Sequence, residues 1–185
     1  MAQIGLKEIH YAVLTKDDAD TLTYETVHKL AGAISATINP SVNSQEQYAD
    51  DQLWDSISAM GGVDVEIETA GLELKDKATL LGMKIEEGIL VENKDDMPPY
   101  IALGFKSLKS DGTYRYVWLL KGSAQPLAEE YGTKKDNVDF RNPKIKFRFM
   151  PRQHDGDWKY TADEGLNEFA GDQTWFTKVV STKEV

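Results

Sequence analysis

Strict alternation of apolar and polar side chains recurs along this chain, and it predicts strands. Val63, Val65 and Ile67 alternate with Asp64, Glu66 and Glu68, and Ile145, Phe147 and Phe149 alternate with Lys144, Lys146 and Arg148, the period of a half-buried strand. Residues 9–15, 25–30, 33–39, 126–131 and 158–161 read as further strands. Residues 100–121 read as a long hairpin. Asp111-Gly112 at its tip suits a two-residue type I′ turn. That turn sets a register with Phe105 opposite Trp118 and Leu103 opposite Leu120, all four on one face. Ala102, Gly104, Lys106, Arg115, Val117, Leu119 and Lys121 then occupy the other. A smaller hairpin is expected over 85–91, around Glu87-Gly88. Helical spacing is confined to 74–83, where Leu74, Ala78 and Leu81 fall at i, i+4 and i+7 before Gly82.

Residues 40–62 are predominantly polar, yet hold Tyr48, Leu53, Trp54, Ile57 and Met60. They read as a long inter-strand loop whose apolar groups dock onto something, since loops of that length in compact domains usually serve a function. The stretch 163–185 reads as a C-terminal arm anchored by Trp175 and Phe176. With no repeats or linker, residues 1–185 form one domain: mainly β, a sandwich or barrel of antiparallel strands with one short flanking helix.

Composition narrows the chemistry. The 185 residues carry 31 acids against 21 bases, net −10, a balance that repels nucleic acid. The chain has no cysteine, so disulfides, thiol catalysis and thiolate metal sites are excluded. No run approaches the roughly 20 apolar residues of a membrane helix, and the N-terminal residues lack a secretory pattern. Synthesis in the cytoplasm and no membrane partner are expected.

Candidate chemistry is sparse. His10, His28 and His154 show no ligand spacing, and no metal or other cofactor is expected. The doublets Asp17-Asp18, Asp50-Asp51, Glu86-Glu87, Asp95-Asp96, Glu129-Glu130 and Asp163-Glu164 could each be imagined in a glycosidase pair. Their places in expected loops favour solvated surface charge. No nucleophile elbow or phosphate loop is present. Tyr114, Tyr116 and Trp118 could form a sugar-stacking platform, but aromatic residues on a strong strand are more often core. Three carboxylates along one strand face, Asp64, Glu66 and Glu68, repel one another. Either they pair across strands with Lys144, Lys146 and Arg148, or they stand on an acidic, solvated surface. The wide sheet has edges that must be blunted or paired, and rings pair them between subunits.

Lys29-Leu-Ala-Gly-Ala-Ile-Ser-Ala-Thr-Ile-Asn-Pro40, Tyr48-Ala-Asp-Asp51, Ala78-Thr-Leu-Leu-Gly82, the 100–122 hairpin, Trp158-Lys-Tyr-Thr-Ala-Asp163 and Trp175-Phe176 resemble, in order and spacing, the major tail proteins of long, flexible, non-contractile-tailed bacteriophages. The similarity extends from about Ile4 to Phe176. The resemblance implies a tail-tube-like fold and a non-enzymatic virion protein of the phage tail. Six copies would form a ring, rings would stack into a tube, and DNA would pass through during ejection as non-specific cargo. It implies contacts with other tail proteins: tape measure, terminator and distal tail. It also implies inter-ring contacts from Tyr48, Leu53, Trp54, Ile57, Met60, Trp175 and Phe176, and an acidic lumen to which Asp64, Glu66 and Glu68 contribute. Two alternatives remain: a single-ring component such as a tail terminator or baseplate ring, and a carbohydrate-binding β-sandwich.

Overall fold

A computed structural model describes residues 2–30, 32–49, 52–133, 141–166, 169 and 173–181, with the side chains of 48, 49 and 53 left aside. The protein is mainly β and antiparallel. A long first strand, β1 (Gln3–Asp17), is retraced along one edge by β2 (Leu22–Tyr24) and β3 (His28–Leu30). The strand expected over 25–30 is therefore split: 25–27 crosses between two short pairings. β4 (Ala33–Ala49) and β5 (Gln52–Thr69) form a long hairpin. One helix, α1 (Leu74–Leu81), follows, then the small hairpin β6 (Lys84–Glu86) and β7 (Ile89–Val91). β8 (Ile101–Lys109), β9 (Tyr114–Ala124), β10 (Lys144–Phe149) and β11 (Lys159–Asp163) complete the set.

The large sheet runs β2-β1-β8-β9-β10-β5-β4, with β3 beside β1 and β11 beside β9. β3 passes into β4 through only two residues, so one stretch of chain pairs with β1 at its start and with β5 afterwards. The two ends of the sheet are thereby drawn together, and β1 touches β4. Residues 126–131, expected as a strand, form none; they cross from β9 without a ladder partner.

Both faces of the central strands are covered. On one face Ile9, Tyr11, Val65, Ile67, Leu103, Phe105, Val117, Leu119 and Phe147 pack with Leu80 and Leu81 of the helix. On the other, Ala12, Ala102, Tyr116, Trp118 and Leu120 pack beneath Trp175 and Val179 of the C-terminal segment. Two-sided burial explains why β8 is buried at nearly every position, as in strands sandwiched between layers. In the helix, Leu74 faces solvent, while Lys77, Ala78, Leu80 and Leu81 are buried. The covered stripe is shifted from the expected Leu74–Ala78–Leu81 line.

The central hairpin corrects the predicted register. Gly112 N–H bonds the Lys109 carbonyl at 3.0 Å, Lys109 N–H bonds the Thr113 carbonyl at 2.9 Å, and Gly112 has φ +85°. The connection is a three-residue loop closing on a left-handed glycine, a standard alternative to the two-residue turn. One extra loop residue moves the pairing by one position: Phe105 meets Val117, Gly104 meets Trp118 and Leu103 meets Leu119, before a bulge sets Ile101 opposite Gly122. Because side chains alternate, a slip of one residue transfers the partner strand's whole set to the opposite face. Phe105 and Trp118 accordingly belong to different core layers. The two-residue turn occurs instead at Glu87-Gly88, where both residues have positive φ.

Candidate functional site

The 40–62 segment is not an irregular loop but the outer part of the β4–β5 hairpin. β10 pairs with β5 only over residues 63–68. Beyond that point the two strands pair with each other alone, Val42 opposite Met60 and Gln45 opposite Ile57. The register shifts where the arm leaves the sheet, between the Pro40 and Val42 pairings, opposite Gly61-Gly62. Ser41 Oγ donates to the Gly62 carbonyl at 2.6 Å, and Arg148 donates twice to Asp64, at 2.7 and 2.8 Å. These bonds fix the root of the arm.

Distal to its root the arm lies in solvent. Trp54 is 73% exposed, Ile57 67%, Val42 61% and Met60 41%. Tyr48 and Leu53 pair near the tip; their side chains lie outside the described residues. A lone two-stranded hairpin is marginally stable in water, and apolar groups this exposed mark interaction surfaces. Sequence reasoning found Trp54, Ile57 and Met60 but missed both Val42 and the hairpin. Neither strand of the arm is buried within the chain, so neither carries the alternation that betrays a strand.

Trp175, expected at an inter-ring contact, is buried inside the subunit, and Phe176 beside it, expected at the same contact, is half-buried. Trp175 is 7% exposed, and its carbonyl accepts from Trp118 Nε1 at 3.0 Å. Phe176 stacks on His10 at 4.3 Å between centroids and meets Trp118 edge-on. They cap the second core layer, which the corrected register turned toward them.

The acidic stripe resolves in favour of cross-strand pairing. Lys144, Lys146 and Arg148 stand opposite Glu68, Glu66 and Asp64. Arg148 binds Asp64, Lys146 and Lys144 reach Glu66 at 3.8 and 4.0 Å, and Asn142 donates to Glu68 at 3.0 Å. The face is exposed but charge-balanced, not a bare acidic wall.

Several doublets expected as solvated charge are structural. Asp17 is buried against Lys121 at 2.6 Å and accepts the N–H groups of Gln153 and His154 at 2.9 and 3.0 Å. Burial pushes its carboxyl up, but those hydrogen bonds and the ammonium outweigh it, holding it below the usual range. Asp163 binds Arg115 at 2.6 Å and Lys109 at 2.9 Å, and the Arg115 bonds lower its carboxyl. Glu164 accepts from Tyr114 N–H at 2.6 Å. Glu129 shares Lys77 with Glu92, at 2.5 Å each. Arg152, fully buried and ion-paired to Asp155, also donates to Tyr24 and Tyr160. Asp50-Asp51 lies outside the described residues.

The aromatic trio does not form an open platform: Trp118 and Tyr116 are buried. Tyr114 and an edge of Tyr116 line an open depression of about 580 Å³. Its walls include His10, Phe176, Tyr116, Glu8 and Lys106. β1 bulges there: Lys7 pairs with Lys106 and the next pair is His10 with Gly104, Glu8 taking φ +55°. Lys106 binds Glu8 at 2.8 Å and lies over the Tyr114 ring, while Lys7 donates to the Tyr114 hydroxyl at 3.2 Å. The hydrogen bond from Lys106 is what chiefly lowers the Glu8 carboxyl; burial lowers the His10 imidazole. No helix among the described residues is long and apolar enough to cross a membrane. A scan against protein-family models gives no match, and a search of the curated proteins gives none either.

Proposed function

We propose that this chain is a structural virion protein whose copies assemble into stacked rings, hexameric by family resemblance, forming the tube of a phage tail. The observation that carries the proposal is the projecting arm. Eight ladder pairs, from Val42–Met60 to Ala49–Gln52, are built outward, with Trp54, Ile57, Val42 and Met60 left in water. Exposure of that kind is offset when a neighbouring subunit covers the arm, at roughly 25 cal/mol per Å² of apolar surface removed from water. The outer edge of β4 also has no strand hydrogen-bonded to it among the described residues, and unpaired edges invite pairing with another chain.

In the tube, DNA passes as unbound cargo and the protein catalyses nothing. Asp64, Glu66 and Glu68 are offset by facing cations, which weakens the acidic-lumen role that the resemblance implies for them. Repulsion of the duplex rests instead on the net −10 per copy, repeated around each ring. Negative-stain microscopy of the purified chain at high concentration tests the proposal. Long hollow tubes are the expected result. Isolated rings would point to a terminator or baseplate ring, and monodisperse single subunits at every concentration would overturn self-assembly.

A further inference from the structure

The open depression beside Tyr114 and the projecting arm have complementary chemistry. Residues 41–60 carry Glu46, Asp50, Asp51 and Asp55 and no basic residue. Trp54, the most exposed large apolar group among the arm's described side chains, directly precedes Asp55. The depression has aromatic walls, Tyr114, Tyr116 and Phe176, and its lining holds one lysine, Lys106, with the carboxylates Glu8 and Glu164; Lys7, bonded to the Tyr114 hydroxyl, stands beside it. Lys7 and Lys106 stand directly opposite each other across β1 and β8. Like charges so placed repel, and the Glu8 carboxylate is ion-paired to Lys106. Lys29 is near enough to act on both Glu8 and His10. Glu164, the other acid at the rim, is engaged by Tyr114 N–H and the Tyr116 hydroxyl. The depression is open to solvent, with a volume of about 580 Å³.

We propose that Trp54 of one copy seats in this depression on a second copy, with Asp55 directed to Lys7. The indole gains aromatic walls and a cation over its face, the arrangement in which cation–π attraction is strongest. The added carboxylate offsets the Lys7–Lys106 repulsion. Arm and depression are different patches of one surface, so the contact is head-to-tail: each copy that offers an arm keeps a depression free for the next. The inference rests on the self-assembly proposed above and names the surface that receives the arm.

The absence of native cysteine makes a direct test clean. Asp55→Cys and Lys7→Cys proteins, purified separately and mixed under oxidising conditions, are expected to give a disulfide-linked heterodimer in excess of either homodimer. Adding Trp54→Ser to the first protein should remove that band. Independently, Lys7→Glu should lower assembly about tenfold, and Asp55→Lys in the same chain should restore it, as for a complementary rim pair. Circular dichroism matching the parent in each variant separates lost contact from lost fold. Tubes whose yield is indifferent to Lys7→Glu, or cross-linking confined to homodimers, would overturn this seat while leaving self-assembly intact. A parent chain that never associates would overturn both.

Discussion

Trp118 and Gly104 face each other across the central hairpin, and the pair is a single packing unit. A Cβ built on Gly104 would stand 2.8 Å from three carbons of the indole. That separation is closer than packed carbons tolerate, and the indole is wholly buried with its N–H tied to the Trp175 carbonyl. The arrangement recurs on the other face, where Gly122 opposes Phe149 and a Cβ would stand 2.6 Å from its ring. Each core layer thus contains one aromatic ring lying over a glycine of the neighbouring strand. Gly104→Ala is expected to destabilise the fold by about 2 kcal/mol, the usual cost of overpacking a rigid core. Urea denaturation measures it, and a midpoint equal to the parent's would show that the indole moves aside freely.

Among the elements, the β4–β5 hairpin combines two physical regimes. Its inner half, up to Val63 on β5, is held by β10 on one side, by the core beneath and by Arg148 at the root. Its outer half has only its own ladder. Removing residues 42–60 and closing the hairpin with a short turn should therefore leave the subunit's thermal midpoint almost unchanged, since the described side chains of that segment are all exposed. The same deletion should abolish tubes. Tube formation by the truncated protein would show that the arm is not the assembling element; a lowered midpoint would show that it stabilises the fold directly.

At the scale of the whole molecule, buried and half-buried ion pairs fasten the periphery to the sheet. Asp17 ties the end of β1 to Lys121 on β9 and to the backbone of the 153–154 turn. Asp155 holds Arg152 in the same turn, and Asp163 holds Lys109 and Arg115 at the opposite end of β9. All three carboxyls are shifted down: for Asp17 and Asp155 burial opposes the shift and donated hydrogen bonds overcome it, and for Asp163 the Arg115 bonds lead. A depressed carboxyl contributes its full stability above the unfolded value, about 3.9 for aspartate. That contribution is lost as pH falls through the lower folded value. Thermal midpoints should therefore be insensitive to these groups at neutral pH and drop steeply in strong acid. Asp17→Asn leaves Lys121 buried without its partner, at a cost of about 3 kcal/mol, and should make the acid drop shallower. An unchanged acid profile would show that Asp17 does not report on folding.

Much of the β architecture was legible from local pattern alone. The strand Lys144–Phe149 matches its alternation residue for residue, Glu87-Gly88 forms its expected turn, and the single short helix lies where apolar spacing placed it. These features depend on near neighbours: backbone preferences, side-chain alternation and turn chemistry act within a few residues. Exposed Trp54 and Ile57 were legible for the same reason, as apolar groups stranded in a polar run. Partner choice lies beyond that range. Asp111-Gly112 fits a two-residue or a three-residue loop, and only the fit of Trp118 over Gly104 in one layer and Phe105 in the other selects the longer one. Whether Glu66 faces lysine or water, and whether Trp175 closes its own subunit or another, follow from that long-range choice. Register and two-sided burial are contacts between residues far apart in the chain, and tertiary packing alone decides between alternatives that are locally equivalent.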